Sequence, residues 1–248
     1  MSSLNKKMIH AAIRCSHQCQ YCFSKWKKYR NCSTANDYTD SNLFICPFCD
    51  SELELQDYDT ILLPIVEQAE LYKKCIIISI STKSYLKEET LSKLQLVHEK
   101  LSRYGGFVKV SVTFTNKSYH DIEQGTASYY DRIQLLRKIT TYKMKTSVVI
   151  KPILPFVSPN EYIDIVNDTC NFTDRFLIGG LYVDESTAFY KNYIQGKYEI
   201  VTREVNWLNG EKWSYVDSAI IQNIIKEHIV NLGKKVFDSE QGLIESWL

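Results

Sequence analysis

Cys15-Ser16-His17-Gln18-Cys19-Gln20-Tyr21-Cys22 packs three cysteines into eight residues at the spacing C-x₃-C-x₂-C. One tight loop thereby offers three thiolates, enough for three irons of a [4Fe–4S] cube, and leaves the fourth iron without a protein ligand. Clusters used only for electron transfer take four cysteines, so that every iron is capped. A cube with one open iron can bind a small molecule directly, which turns an electron relay into a catalyst. Two plainer readings compete: three of the four ligands of a structural zinc site, or three buried cysteines. Zinc pairs come as C-x₂-C with a second pair some distance on. A compact triplet behind an apolar, strand-like run (Met8 to Ile13) departs from that pattern, so the open cube is preferred. The loop follows directly on the run and so stands at the end of an opening strand.

Working outward, the 248 residues suit one domain, and 44% hydrophobic with 24% charged content is ordinary for a globular protein. A net charge of +1 gives no global electrostatic case for nucleic acid or membrane binding. No run reaches the ~18 apolar residues of a membrane span, and the segment before Cys15 lacks the apolar core of a signal peptide. A cytoplasmic, reducing location is expected. There the eight cysteines are metal ligands or free thiols in preference to disulfides.

Past the loop, apolar runs of strand length alternate with helical patterns. Lys74–Ser81, Phe107–Thr113, Thr146–Lys151 and Arg175–Val183 read as strands. Helices are expected at Leu86–Leu101, Ala127–Thr140 and Asn160–Asp168, and at Asp59–Lys73, where Pro64 kinks the helix or marks its first turn. With the opening strand this makes five or six β/α units, short of the eight in a full barrel. The expected fold class is α/β, a partial, open (β/α)₆ barrel with the site at the C-terminal ends of its strands. Residues 1–183 form this core. Residues 184–248 form a small C-terminal extension packed on it, with a strand at Tyr198–Trp207, a helix at Ser218–Leu232 and a short mixed tail from Gly233.

The triplet, with an aromatic residue (Tyr21) before its last cysteine, resembles the signature of the radical S-adenosylmethionine superfamily. Several further segments resemble the branch related to spore photoproduct lyase. These are Thr82-Lys83-Ser84 after a strand, the strand end Val110-Ser111-Val112-Thr113, Ile122-Glu123 with Ser128 and Arg132 (Gln124 replacing the usual proline), and Ile150-Lys151-Pro152-Ile153-Leu154-Pro155. The resemblance spans about residues 8–183. It implies that Cys15, Cys19 and Cys22 ligate a [4Fe–4S] cluster whose open iron chelates S-adenosylmethionine. One electron, from a donor such as flavodoxin or ferredoxin, then releases a 5′-deoxyadenosyl radical. It further implies that Lys83 and Ser111 hold the carboxylate and ribose of S-adenosylmethionine, and that Arg132 pairs with the carboxylate. Glu123 would bond the ribose or amino group, while Tyr21 and the Ile153–Leu154 backbone flank the adenine. The plain alternative for Lys83, Arg132 and Glu123 is solvated surface charge.

One stretch departs from the family: a Cys-rich insertion, residues 23–56, with Cys32, Cys46 and Cys49. Cys46-Pro47-Phe48-Cys49 is a C-x₂-C knuckle, and with Cys32 it supplies three ligands for zinc or an auxiliary Fe–S cluster. His17, Asp50, Cys75 or Cys170 could be the fourth, although buried structural thiols are the better reading of Cys75 and Cys170. The run Lys25-Trp26-Lys27-Lys28-Tyr29-Arg30 interleaves cations with rings, as contact with a nucleic acid requires. Near-zero net charge disfavours that partner. The leading reading is thus a radical S-adenosylmethionine enzyme with an unidentified substrate. The alternative is a metal-stabilised module that binds nucleic acid or protein through the knuckle and the Lys25–Arg30 patch. A plain electron carrier is the third reading.

Overall fold

Strands buried on both faces are continuous apolar runs rich in branched side chains, and parallel sheets are built from them. The computed structural model, which describes residues 5–9, 17–23, 43–47, 62–205 and 210–248 (backbone alone for 5–9 and 43–47), has such a sheet. Its strands are β1 (Asn5–Ile9), β3 (Leu43–Pro47), β4 (Ile76–Thr82), β5 (Phe107–Thr113), β7 (Lys145–Ile150), β8 (Arg175–Ile178) and β12 (Lys235–Phe237). They lie in the order β1-β3-β4-β5-β7-β8-β12, and every pair is parallel. Two smaller ladders stand beside it. β2 (Gln18–Cys19) pairs with β6 (Glu123–Gln124), and β9 (Leu181–Val183), β10 (Ile200–Glu204) and β11 (Lys212–Val216) form an antiparallel sheet in the order β10-β11-β9.

The helices are α1 (Leu63–Tyr72), α2 (Glu88–Ser102), α3 (Tyr129–Thr141), α4 (Pro159–Thr169), α5 (Ala219–Asn231) and α6 (Glu240–Glu245). Pro64 sits in the first turn of α1 and Pro159 in that of α4, where the missing N–H has no intrahelical acceptor to lose. Ser128 and Ser158 cap α3 and α4 through their side chains. Apolar residues of α1 to α5 (Ile65, Leu94, Leu135, Ile165, Ile225) share one core with Ile78, Val110, Val148 and Phe176, alternate residues of the strands. Helices of a parallel sheet gathered on one face make a singly wound arrangement. The intervening residues face the other way. Ile77, Phe107, Val149 and Leu177 pack there against Leu243 and Ile244 of α6, and the fully buried Lys109 meets Glu240 at 2.9 Å.

Three segments differ from expectation. Leu43–Pro47, read as part of an insertion, is a strand lying between β1 and β4. Arg175–Val183 is broken by Gly179 and Gly180, because the Gly179 carbonyl leaves the ladder to accept from Ile153 N–H at 2.8 Å. A Cβ on Gly180 would also strike the Tyr215 hydroxyl. The mixed tail supplies a seventh strand, β12, and α6. Elsewhere glycine serves a close backbone approach: a Cβ on Gly106 would run into the Ile76 carbonyl. Gly106→Ala is therefore expected to destabilise the protein by ~1–3 kcal/mol, as overpacking does, read as a lowered urea midpoint at unchanged m-value. Among the described residues no helix is long and apolar enough to cross a membrane.

Candidate functional site

The second half of the cysteine loop is docked at the C-terminal ends of the strands. Gln18 and Cys19 pair with Gln124 and Glu123, and Gln20 N–H donates to the Ile122 carbonyl at 2.9 Å. A turn with Cys22 N–H on the Cys19 carbonyl (3.3 Å) closes the stretch between the two cysteines. Cys19 is buried and Cys22 half-buried. Cys15, the first cysteine of the triplet, lies outside the described residues.

His17 ties the loop down. Its Nδ1 lies 2.8 Å from the Gly125 carbonyl, which can only accept, so Nδ1 carries the proton. Nε2 then accepts from the Ser84 hydroxyl at 2.9 Å, and Ser84 N–H is itself held by Thr82 Oγ1 at 2.9 Å. Both ring nitrogens thus serve the chain itself, which argues against His17 as the fourth ligand of a second metal site. His17→Ala is expected to lower stability by ~1–2 kcal/mol, read as a lowered urea midpoint. His17→Gln, which can donate and accept in the same span, should recover most of it. Equal urea midpoints for wild type and His17→Ala would refute this role.

Beneath the loop stands a network of four residues singled out from sequence: Tyr21, Lys83, Glu123 and Arg132. Glu123 is buried, and its carboxylate receives Arg132 Nη2 at 2.7 Å, the Tyr21 and Thr115 hydroxyls, and Lys83 at 3.5 Å. Arg132 also donates to the Ala127 and Thr113 carbonyls, both at 2.9 Å, and to Thr126 Oγ1 at 2.6 Å. Lys83 directly follows β4. Its Nζ donates to the Tyr21 oxygen at 2.8 Å, lies 4.8 Å above that ring, and reaches Cys19 Sγ at 3.7 Å. These are paired charges rather than solvated ones, with Glu123 and Arg132 buried and Lys83 partly so.

The surroundings fix their protonation. Burial alone would raise the Glu123 carboxyl, but Lys83 and Arg132 outweigh it and bring the pKa down from 4.5 to about 2. For Lys83, burial would remove the charge, yet Tyr21 and Glu123 more than offset it and hold the amine well above its ordinary value. Burial pushes Tyr21 well up, against the pull of Lys83, so it remains a neutral donor. Burial raises Cys19 too, with Lys83 opposing.

The remaining candidates lie elsewhere. Ser111 is fully buried within β5, its hydroxyl 2.7 Å from that of Ser147 on β7. Ile153 is buried, with its N–H committed to Gly179, while Leu154 N–H donates to the Tyr162 hydroxyl at 2.7 Å. Cys75 precedes β4 and Cys170 precedes β8, at the opposite end of the sheet from Cys19. Their thiols donate to the Gly105 and Asn167 carbonyls. Cys32, Cys49 and Lys25–Arg30 lie outside the described residues, and of Cys46 only the backbone, on β3 opposite Met8, is described.

Sequence reasoning missed an aromatic wall beside the loop. Phe189 meets Tyr21 edge-on (6.1 Å between centroids) and stacks on Tyr193 (5.3 Å), which in turn meets Phe156 (5.1 Å). Phe23, next to Cys22, packs on Trp213 of β11 at 5.9 Å. The tyrosine content was the available signal, but no helix or strand period linked these positions.

No protein-family model and no curated protein matches the chain. Among solved structures it is similar to a spore photoproduct lyase variant with bound AdoMet and dinucleoside spore photoproduct. The TM-score is 0.61 at 12% identity, over 93% of this chain and 75% of that one. It is also similar to methylornithine synthase, with a TM-score of 0.56 at 11% identity over 99% of this chain and 86% of that one. At such identities the likeness is one of fold: the chain shares the fold of spore photoproduct lyase and of methylornithine synthase.

Proposed function

We propose that this protein is a radical S-adenosylmethionine enzyme in which Cys15, Cys19 and Cys22 hold a [4Fe–4S] cluster. The observation that carries the reading is the pair Cys19 and Cys22, offered by one loop at the C-terminal ends of parallel strands with the Lys83 ammonium against Cys19 Sγ. Soft thiolates suit an iron–sulfur cluster, and a cation beside them favours the charged donor set. Bound by these cysteines, the cluster would supply one electron for cleavage of S-adenosylmethionine to methionine and a 5′-deoxyadenosyl radical able to abstract hydrogen from a substrate.

The chain's own part is to bind, orient and exclude water. Tyr21, Phe189 and Phe156 close one side of the site with rings. Lys83 presents its charge to the carboxylate of S-adenosylmethionine. Glu123 and Arg132, spent on each other and on backbone carbonyls, act on that ligand by fixing Lys83 and Tyr21. We read β1, β3, β4, β5, β7 and β8 as the six strands of a partial (β/α)₆ barrel, with β12 appended.

The test is anaerobic reconstitution with iron and sulfide, followed by dithionite and S-adenosylmethionine. 5′-Deoxyadenosine and methionine should form in equal amounts, at about four irons per chain for one cube. Zinc counted in the same sample reports on the second cysteine set. A fully loaded protein that yields no 5′-deoxyadenosine would overturn the reading.

A further inference from the structure

We propose that Lys83 sets the reduction potential of the cluster, with Glu123 as its fixed counter-charge. The inference rests on the cluster assigned to Cys15, Cys19 and Cys22, and is independent of any contact between Lys83 and S-adenosylmethionine.

The geometry forms a chain of positioning contacts. Arg132 is immobilised by the Thr113, Ala127 and Thr126 oxygens and clamps one carboxylate oxygen of Glu123 at 2.7 Å. The other carboxylate oxygen receives Tyr21 and Thr115 and stands 3.5 Å from Lys83 Nζ. Lys83 is in turn seated on the Tyr21 ring and hydroxyl, with Nζ 3.7 Å from Cys19 Sγ. A flexible four-carbon stem, which at a surface would sample many rotamers, is here aimed at a cluster-ligating sulfur.

Charge near a cluster and hydrogen bonds to its sulfurs are principal determinants of its potential. Reduction by one electron adds negative charge to the cluster. A positive charge donating to a ligand sulfur stabilises the reduced form, and a negative charge behind it opposes that stabilisation. Burial of the group strengthens both terms, because solvent screens them little. Lys83 therefore raises the potential and Glu123 lowers it. A residue that merely held the loop together would have no sign of its own.

The sign is what the experiment reads. Wild type, Lys83→Met, Lys83→Arg and Glu123→Gln are reconstituted, their iron is counted, and the reduced cluster is followed by electron paramagnetic resonance during a dithionite titration with mediators and no S-adenosylmethionine. At the wild-type midpoint, Lys83→Met should show about a tenfold lower reduced-to-oxidised ratio, ~59 mV for one electron. Glu123→Gln should move the opposite way, and Lys83→Arg, which keeps the charge, should stay near wild type. Should Lys83→Met not load, Lys83→Gln replaces it. A fully loaded Lys83→Met at the wild-type midpoint, or Lys83→Met and Glu123→Gln shifting in the same direction, overturns the proposal. Loss of iron from every Lys83 variant, arginine included, also overturns it and leaves a structural role. A wild-type protein that assembles no four-iron cluster removes the cluster reading itself, which is a separate result.

Discussion

On the proposed function, replacing Cys19 or Cys22 by alanine should abolish formation of 5′-deoxyadenosine while leaving the protein folded. Three thiolates bind three irons, so losing one leaves two irons open in a cube that tolerates one. Outer partners of a metal ligand are worth ~10–100-fold in affinity or activity, and removal of the ligand itself should exceed that. The thiols contribute little to the fold by comparison. Cys19 is buried beside Tyr21 and Lys83, and trimming it to alanine should cost on the order of 1 kcal/mol. Iron content and 5′-deoxyadenosine yield should therefore collapse at a nearly unchanged urea midpoint. Cys15→Ala should behave the same way. Cys75→Ala and Cys170→Ala remove thiols at the other end of the sheet and should retain full iron. A Cys22→Ala protein with wild-type iron and turnover would remove the triplet from the site altogether.

The strands β4, β5 and β7 were legible because each is a continuous apolar or alternating run bounded by turn residues, and their observed limits fall within about two residues of the reading. β3 was not. Leu-Phe-Ile-Cys-Pro is a five-residue run, and the C-x₂-C spacing that begins inside it pointed to a metal knuckle. β12 has three residues, too few for any period to show, and its place comes from pairing with β8 across a long separation. The break after Ile178 depends on two tertiary facts, the acceptor needed by Ile153 N–H and the space needed by Tyr215, and neither is local.

The site divides in the same way. Residue types at strand ends pointed to Tyr21, Lys83, Glu123 and Arg132, and these four meet. What sequence could not supply was who pairs with whom. Glu123 and Arg132 lie nine apart, across a turn and a helix cap, so no helical or strand spacing announces their contact. Ser111 shows the converse. Strand position put it near the others, but its hydroxyl goes sideways to Ser147 on the next strand.

Removing one partner of the buried Glu123–Arg132 pair should be strongly destabilising, because it orphans a buried charge. Arg132→Met leaves a buried carboxylate with one cation in place of two, and breaking a buried pair in this way costs ~3–5 kcal/mol. The acidity of Glu123 gives an independent handle on the same quantity. Its folded pKa is depressed from 4.5 to about 2, so the unfolded chain binds a proton more readily than the folded one. The group therefore stabilises the fold above pH 4.5, and that contribution is lost as pH falls from 4.5 through 2. The full shift corresponds to roughly 3 kcal/mol at 1.36 kcal/mol per unit. In Arg132→Met the depression should shrink, so the gap between variant and wild type should be widest at neutral pH and should narrow at pH 3. Urea unfolding at pH 7 and pH 3 measures both gaps. If they are equal, Arg132 acts through packing and its backbone contacts, and the ion pair is not what stabilises the fold.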